Sequence, residues 1–456
     1  MSPLAPRAIA WFRRDLRLQD QRMLAEALAA AAEVVPVFVV DPRIVAANAA
    51  AAPRLAWYRA SIVALDAELR ALGSGLVVLH GDPELVLPAL AAATGATAVY
   101  AARDAEPGAV RRDAAVADRV SLTLVDDQRL LPDGSLRAAS GGSYAVFTPF
   151  RRALEARLAE DPALLAEARP RLERLARAVN LPDGQGPGAF PDPVTATRLP
   201  TAGPAAALAQ LTAFSAGRLG RYETERDRPG AGATSGISPY LRVGALSVRA
   251  AWRAALVGPR GDAWRRELAW REFFADRLAA GAMEPPGGGE EVQASLVFGA
   301  WRDGQTGIPL VDAGMRELAA TGWMHNRARL VAAGFAVKQL GIPVERGESL
   351  FMERLLDGDL AQNRGNWRWV AGMGVGSAPW FRVLNPVVQA RRFDPDAGYL
   401  RRWLPELVAL PTDLVHEPWR APAASRGGYP DPIVDLDAAR EAVLARHRGT
   451  RLTASP

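Results

Sequence analysis

The first 130 residues alternate two patterns. Short, nearly unbroken apolar runs (AIAWF at 8–12, VVPVFVV at 34–40, GLVVLHG at 75–81, ATAVYAA at 96–102, SLTLVDD at 121–127) are separated by longer Ala/Leu/Arg stretches of helical character. Runs apolar at successive positions predict strands buried on both faces, and the helices between them make βαβ units of a parallel sheet. The expected fold class is therefore α/β for residues 1–130, a doubly wound, Rossmann-like parallel sheet. No GxGxxG follows the first run. WFRRDLRLQD stands there instead, so an ordinary dinucleotide fingerprint is absent.

Between 131 and 204 the pattern breaks into LPDGS, SGGSY, LPDGQGPGAFPDP and LPTAGP, around an Arg-rich segment near 150–178 that reads as helix. This stretch suits an inter-domain linker. From 205 to 456 the apolar positions recur at helical spacing, as in AWRRELAWREFFADRLA, LVDAGMRELAATGWMHNRARLVAAGFAVKQL and ESLFMERLLDG, with no convincing alternating strand. An all-α domain is expected there. A chain of 456 residues with 49% hydrophobic composition has ample core for two domains.

Composition narrows the chemistry. Without cysteine there is no disulfide or thiolate site, and His80, His325, His416 and His447 are too scattered for a protein-built zinc centre, so no metal is expected. No apolar run reaches the roughly 18 residues of a membrane span, and MSPLAPRAIAWF lacks the layout of a secretory signal; a cytoplasmic protein is expected. Of 55 Lys and Arg residues only Lys338 is a lysine, and the formal net charge is +5. Arginine forks suit phosphates. A GC-rich genome explains the same bias, so charge alone names no partner.

Four segments set polar and aromatic groups inside apolar helical patterns. In ELAWREFF, Glu267, Trp270 and Arg271 share a helical face, which places a carboxylate beside an indole; a Glu267–Arg271 surface pair over a core tryptophan has the same spacing. In GWMHNRARL, Asn326 and Arg329 lie three apart, as a cap and solvated arginines also would. GAGATSGISPYL, at 230–241, offers backbone N–H groups and the hydroxyls of Thr234, Ser235 and Ser238 to a pyrophosphate, or simply caps a helix. In DGDLAQNRGNWRWVAGMG, at 357–374, Trp367 and Trp369 fall about 200° apart on a helix, so one indole can line a pocket while the other points inward. Asp357 and Asp359 precede them, placed to pair with a buried arginine or to accept a ligand N–H.

Taken together and in this order, WFRRDLRLQD, RYETERDRPGAGATSGISPYLRVGALS, ELAWREFF, TGIPLVDAGMRELAATGWMHNRARL, DGDLAQNRGNWRW and WLPELVALPTDLVHEPW resemble the DNA photolyase/cryptochrome family along nearly the whole chain, most closely its class I cyclobutane pyrimidine dimer photolyases. The resemblance implies an antenna domain followed by an all-helical FAD-binding domain. Its implied activity is light-driven splitting of cyclobutane pyrimidine dimers in DNA by a monomer, with excited reduced FAD giving an electron to the flipped-out dimer.

By that resemblance Tyr222, Thr234, Ser235, Gly236, Ile237, Ser238, Trp264, Arg271, Arg329, Asp357 and Asp359 hold FAD, with Arg329 and Asp357 paired across it and Asn363 facing its reactive nitrogen. Glu267 and Asn326 hydrogen-bond the dimer, and Trp270 and Trp369 stack on it. Arg226, Arg327, Arg382 and Gln389 match DNA-contacting positions. A second, light-harvesting chromophore is implied on the N-terminal sheet. Deazaflavin is favoured over folate, whose binders usually carry glutamate where Gly108 or Ala109 stands.

Two departures bear on function. Leu330 replaces the methionine usual beside the dimer, an apolar exchange of similar volume. Relatives that repair (6-4) photoproducts carry histidines at the positions of Asn326 and Leu330, so that specificity is disfavoured. Of the three tryptophans through which the family reduces its flavin, Trp367 matches the proximal one, the middle position aligns with Val344, and the distal one falls in GGGEEVQASLVF, whose one aromatic is Phe298. Trp301, Trp323, Trp380 and Trp403 are left as relays that sequence cannot place. The alternative function is a cryptochrome-like blue-light photoreceptor; the retained Glu267, Trp270, Asn326 and Trp369, and the absence of a long extension after HEPW, argue for repair.

Overall fold

A computed structural model describes residues 4–177, 190–257, 260–283, 296–373 and 382–453, the side chains of the last segment as far as residue 445. Five parallel strands, β1 (Ala5–Phe12), β2 (Ala31–Val40), β3 (Val77–His80), β4 (Val99–Ala102) and β5 (Leu122–Val125), form one sheet in the order β3-β2-β1-β4-β5. The five apolar runs thus form five strands; β1 and β2 are buried over most of their length, whereas edge strand β5 is mostly half-buried. Pro36 lies within β2, yet the pairing with β3 begins only at Val37 opposite Val77, so its missing N–H breaks no ladder on that side.

The linker differs from the sequence expectation. Its helix spans Phe147–Glu160 rather than running to 178; Pro162–Leu165 and Leu172–Arg174 are short 3₁₀ turns, and Leu175 bridges to Val34. Pro162 and Pro170 explain the stop, since each removes an N–H and disfavours helix at the residue before it.

Beyond β5 the described residues form helices and no further named strand. Helix Leu360–Ala371 packs between helices Asp262–Ala279 and Val344–Arg354. Two glycines permit this: a Cβ at Gly365 would collide with the Phe274 ring, and one at Gly347 with the Trp367 indole. Arginines join the two halves. Arg249, fully buried in helix Val248–Leu256, donates to Asp127 at the end of β5 at 2.7 Å, and Arg14, just past β1, forms ion pairs with Glu106 and Asp359. Among the described residues no helix is long and apolar enough to cross a membrane.

Candidate functional site

The helical half encloses a cavity of about 990 Å³, at the upper end of the roughly 300–1,000 Å³ of small-molecule sites. The Thr234–Ser238 turn forms part of its wall. Gly236 adopts φ +67°, and Gln210 Nε2 donates to Ser235 O at 2.7 Å, fixing a turn whose hydroxyls border the space. Tyr222, Ile237 and Trp264 supply an apolar wall; the Trp264 ring lies 4.7 Å from that of Phe214.

Opposite stand the charged groups. Arg329 Nη2 meets Asp357 Oδ2 at 2.9 Å, its Nε donating to Met324 O at 2.7 Å. The helix carrying Arg329, Asn326–Gly334, starts where His325 Nδ1 accepts from Arg327 N at 3.1 Å. Burial pushes His325 down to about 4, so near neutral pH the ring is uncharged and free to accept. Asp359 caps helix Leu360–Ala371 by accepting from Gln362 N. Burial alone would raise its pKa, but the guanidinium groups of Arg14, Arg242 and Arg271 outweigh burial and hold the carboxyl well below the usual range. Asn363 is buried and donates from Nδ2 to Glu348 O at 2.9 Å.

Glu267, Trp270, Asn326 and Trp369 border the same cavity from its more exposed side, with Leu330 among them. Glu267 does not pair with Arg271, as helical spacing alone allowed. Arg226 Nη1 donates to Glu267 Oε1 at 2.5 Å, while Arg271 pairs with Glu272 at 3.0 Å and donates to Gln128 O at 3.2 Å. Trp367 and Trp369 both border the cavity although two positions apart; Trp367 is buried and Trp369 half-buried. Of the expected DNA contacts, Arg382 is exposed at the rim, and Arg327 pairs with Asp227 at 2.9 Å and donates to Gln389 Oε1 at 3.4 Å.

Among the described residues the aromatic neighbours of Trp367 are Phe351, at 5.1 Å between ring centroids, and Trp301, at 6.2 Å, both edge-on. Val344 is a buried apolar residue of the same core. Most of the expected distal stretch, and Trp380, lie outside the described residues.

Sequence reasoning missed two contributors. Arg14 holds Asp359 from 345 positions away, and Phe147, in the linker, stacks on Trp270. WFRRDLRLQD had flagged the first segment without its partner; no local pattern marks Phe147.

The strand order reverses between β1 and β4, the usual binding crevice of such sheets. Here it encloses only about 50 Å³. Arg14, paired with Asp104, Glu106 and Asp359, is part of its lining.

The donor set of the large cavity fits FAD: a hydroxyl-bearing turn for phosphates, apolar and aromatic walls for rings, and an ion pair beside a buried amide for a polar ring edge. Family models agree. Residues 8–170 match "DNA photolyase" and residues 264–449 match "FAD binding domain of DNA photolyase". A deoxyribodipyrimidine photo-lyase of Synechococcus is 36% identical, covering 95% of this chain and 94% of its own. Among solved structures, a class III photolyase of Agrobacterium tumefaciens superposes with TM-score 0.86 and 33% identity (99% and 98% of the two chains), and a Synechocystis cryptochrome with 0.84 and 28% (98% and 100%).

Proposed function

The chain belongs to the DNA photolyase family, and from this premise we infer that it splits cyclobutane pyrimidine dimers in DNA with light, as a deoxyribodipyrimidine photo-lyase that binds FAD. The observation that carries the reading to particular residues is one shared cavity: the half-buried Arg329–Asp357 pair, the buried Asn363 and the 234–238 turn at one side, Glu267, Trp270, Asn326 and Trp369 at the exposed side. The likeness to a cryptochrome concerns the fold; the dimer-facing set favours repair over signalling.

When bound, FAD in its reduced form supplies the light-driven electron that opens the dimer. The protein's part is position and electrostatics. The Arg329–Asp357 pair, Asn363, Arg271 and Asp359, which all line the cavity, would hold and orient the cofactor. The Trp270 and Trp369 indoles receive the extruded dimer and displace water. The Glu267 carboxylate accepts a pyrimidine N–H, and the Asn326 amide serves both as donor and acceptor to the base edge. Leu330 closes the wall without a polar atom. Trp367 relays electrons to the cavity from outside. A second chromophore on the N-terminal domain, deazaflavin rather than folate, is part of the same reading. Cytoplasmic residence and a monomeric state complete it.

The direct test is a thymine-dimer oligonucleotide incubated with chemically reduced protein. Near-UV or blue light removes the dimers; unchanged dimer content after illumination sinks the assignment.

A second expectation concerns phosphates. Damaged-DNA affinity falls with salt, and Arg382→Ala flattens the log–log dependence by about one unit. Arg327→Ala flattens it less, because Asp227 already neutralises that guanidinium. Affinity measured across a salt series checks both, and equal slopes in all three proteins contradict the assignment of Arg382.

A further inference from the structure

We propose that Phe147 is a positioning residue for lesion recognition: its ring backs the Trp270 indole and fixes the plane on which the extruded dimer stacks. The inference rests on the reading of Trp270 as the stacking surface. Phe147 opens helix Phe147–Glu160 in the segment that joins the two domains, far in sequence from the residues around the cavity. Its ring lies 3.7 Å from the Trp270 ring, centroid to centroid, with 5° between planes.

The two rings differ in what they border. Trp270 lines the cavity and Phe147 does not, so the phenyl covers the indole face turned away from the substrate space. Phe273, at 5.6 Å and 82°, and Phe274, at 5.3 Å and 33°, are farther from the indole and inclined to its plane. Rotation about a tryptophan χ2 is intrinsically broad, so the plane of the indole is set by what touches it. Inclined contacts limit its travel. Only a flat partner in parallel contact opposes tilt over the whole face.

The helix itself is held independently of Phe147. Phe150, Leu154 and Leu158 are buried, and Phe150 packs edge-on to Phe273 at 5.3 Å. Removing the Phe147 ring therefore leaves the linker docked and frees one indole face.

The test compares Phe147→Leu, which keeps apolar bulk without a flat face, with Phe147→Tyr, which restores the face, and with Trp270→Ala. In the dark, with FAD-loaded protein, affinities are measured for a thymine-dimer oligonucleotide and for its undamaged counterpart; FAD absorbance per protein, thermal unfolding and the near-UV circular dichroism of the free protein are recorded alongside. Phe147→Leu lowers the damaged-to-undamaged preference roughly two- to tenfold, the range of an aromatic pair. Its undamaged affinity and FAD content stay at wild-type values, its tryptophan dichroism weakens, and Phe147→Tyr recovers the preference. A wild-type preference in Phe147→Leu, beside a lowered one in Trp270→Ala, overturns the role of Phe147 alone. A Phe147→Tyr protein no better than Phe147→Leu overturns it too. An unchanged preference in Trp270→Ala overturns the stacking reading on which it rests.

Discussion

Glu267→Ala slows light-driven dimer splitting by roughly 10- to 100-fold and leaves the FAD content of the purified protein unchanged. The magnitude follows from the contact proposed: a hydrogen bond to a charged group contributes about 1.5–3 kcal/mol, and about 1.4 kcal/mol is a tenfold rate. It applies to splitting because the carboxylate meets a dimer whose charge changes as it opens. FAD is spared because the groups proposed to hold it, Arg329, Asp357 and the 234–238 turn, do not hydrogen-bond to Glu267. The free protein adds a second signature. Arg226 is bound to Glu267, so Glu267→Ala releases a guanidinium at the cavity rim, and affinity for undamaged DNA is maintained or raised while repair falls. Glu267→Gln, which keeps a hydrogen bond but loses the charge, lies between. Single-turnover repair under flash illumination, read with FAD absorbance, checks this. If Glu267→Ala loses flavin in proportion to activity, the residue is a structural partner of Arg226 and the proposed dimer contact is wrong.

The Arg226–Glu267 pair also marks the limit of what the sequence discloses. The strands were legible because parallel strands buried on both faces write themselves as apolar runs, and helix Asp262–Ala279 because its apolar positions keep helical period. Spacing put Glu267, Trp270 and Arg271 on one face, yet gave no means to choose the carboxylate's partner, which came from 41 residues upstream. The linker helix was overextended because arginine-rich composition carries helical propensity past Pro162, where backbone chemistry ends it. The assignment of residues to FAD and DNA rested on resemblance; a turn with hydroxyls, or an arginine three residues from an asparagine, is individually compatible with a helix cap. Phe147 stayed invisible for a different reason. A stacking partner is defined by tertiary approach, and its own segment reads as connection.

Trp367→Phe abolishes light-driven reduction of the oxidised, FAD-loaded protein by an external thiol, and Trp301→Phe lowers it nearly as far. The argument begins at Val344, where the resemblance places the middle tryptophan: a buried valine offers neither an aromatic orbital nor an ionisable group to a hole on Trp367. Of the two rings described in contact with Trp367, Phe351 is too difficult to oxidise and Trp301 is an indole of the same kind, 6.2 Å away. The hole therefore moves to Trp301. There it meets a second obstacle, because Trp301 is fully buried and its Nε1–H is committed to Ala332 O at 3.1 Å, so no proton passes to water and return to Trp367 competes with exit. Reduction in the unsubstituted protein is accordingly slow, and Val344→Trp accelerates it. The loss of the oxidised cofactor's absorption under continuous light gives the rates, and transient absorption of the tryptophan radical identifies where the hole rests. All three variants, reduced chemically beforehand, repair dimers at the unsubstituted rate, because repair does not use this path. Fast reduction that persists in Trp367→Phe removes Trp367 from the route; loss in Trp367→Phe with none in Trp301→Phe keeps the first step and shows that the hole leaves Trp367 by another neighbour.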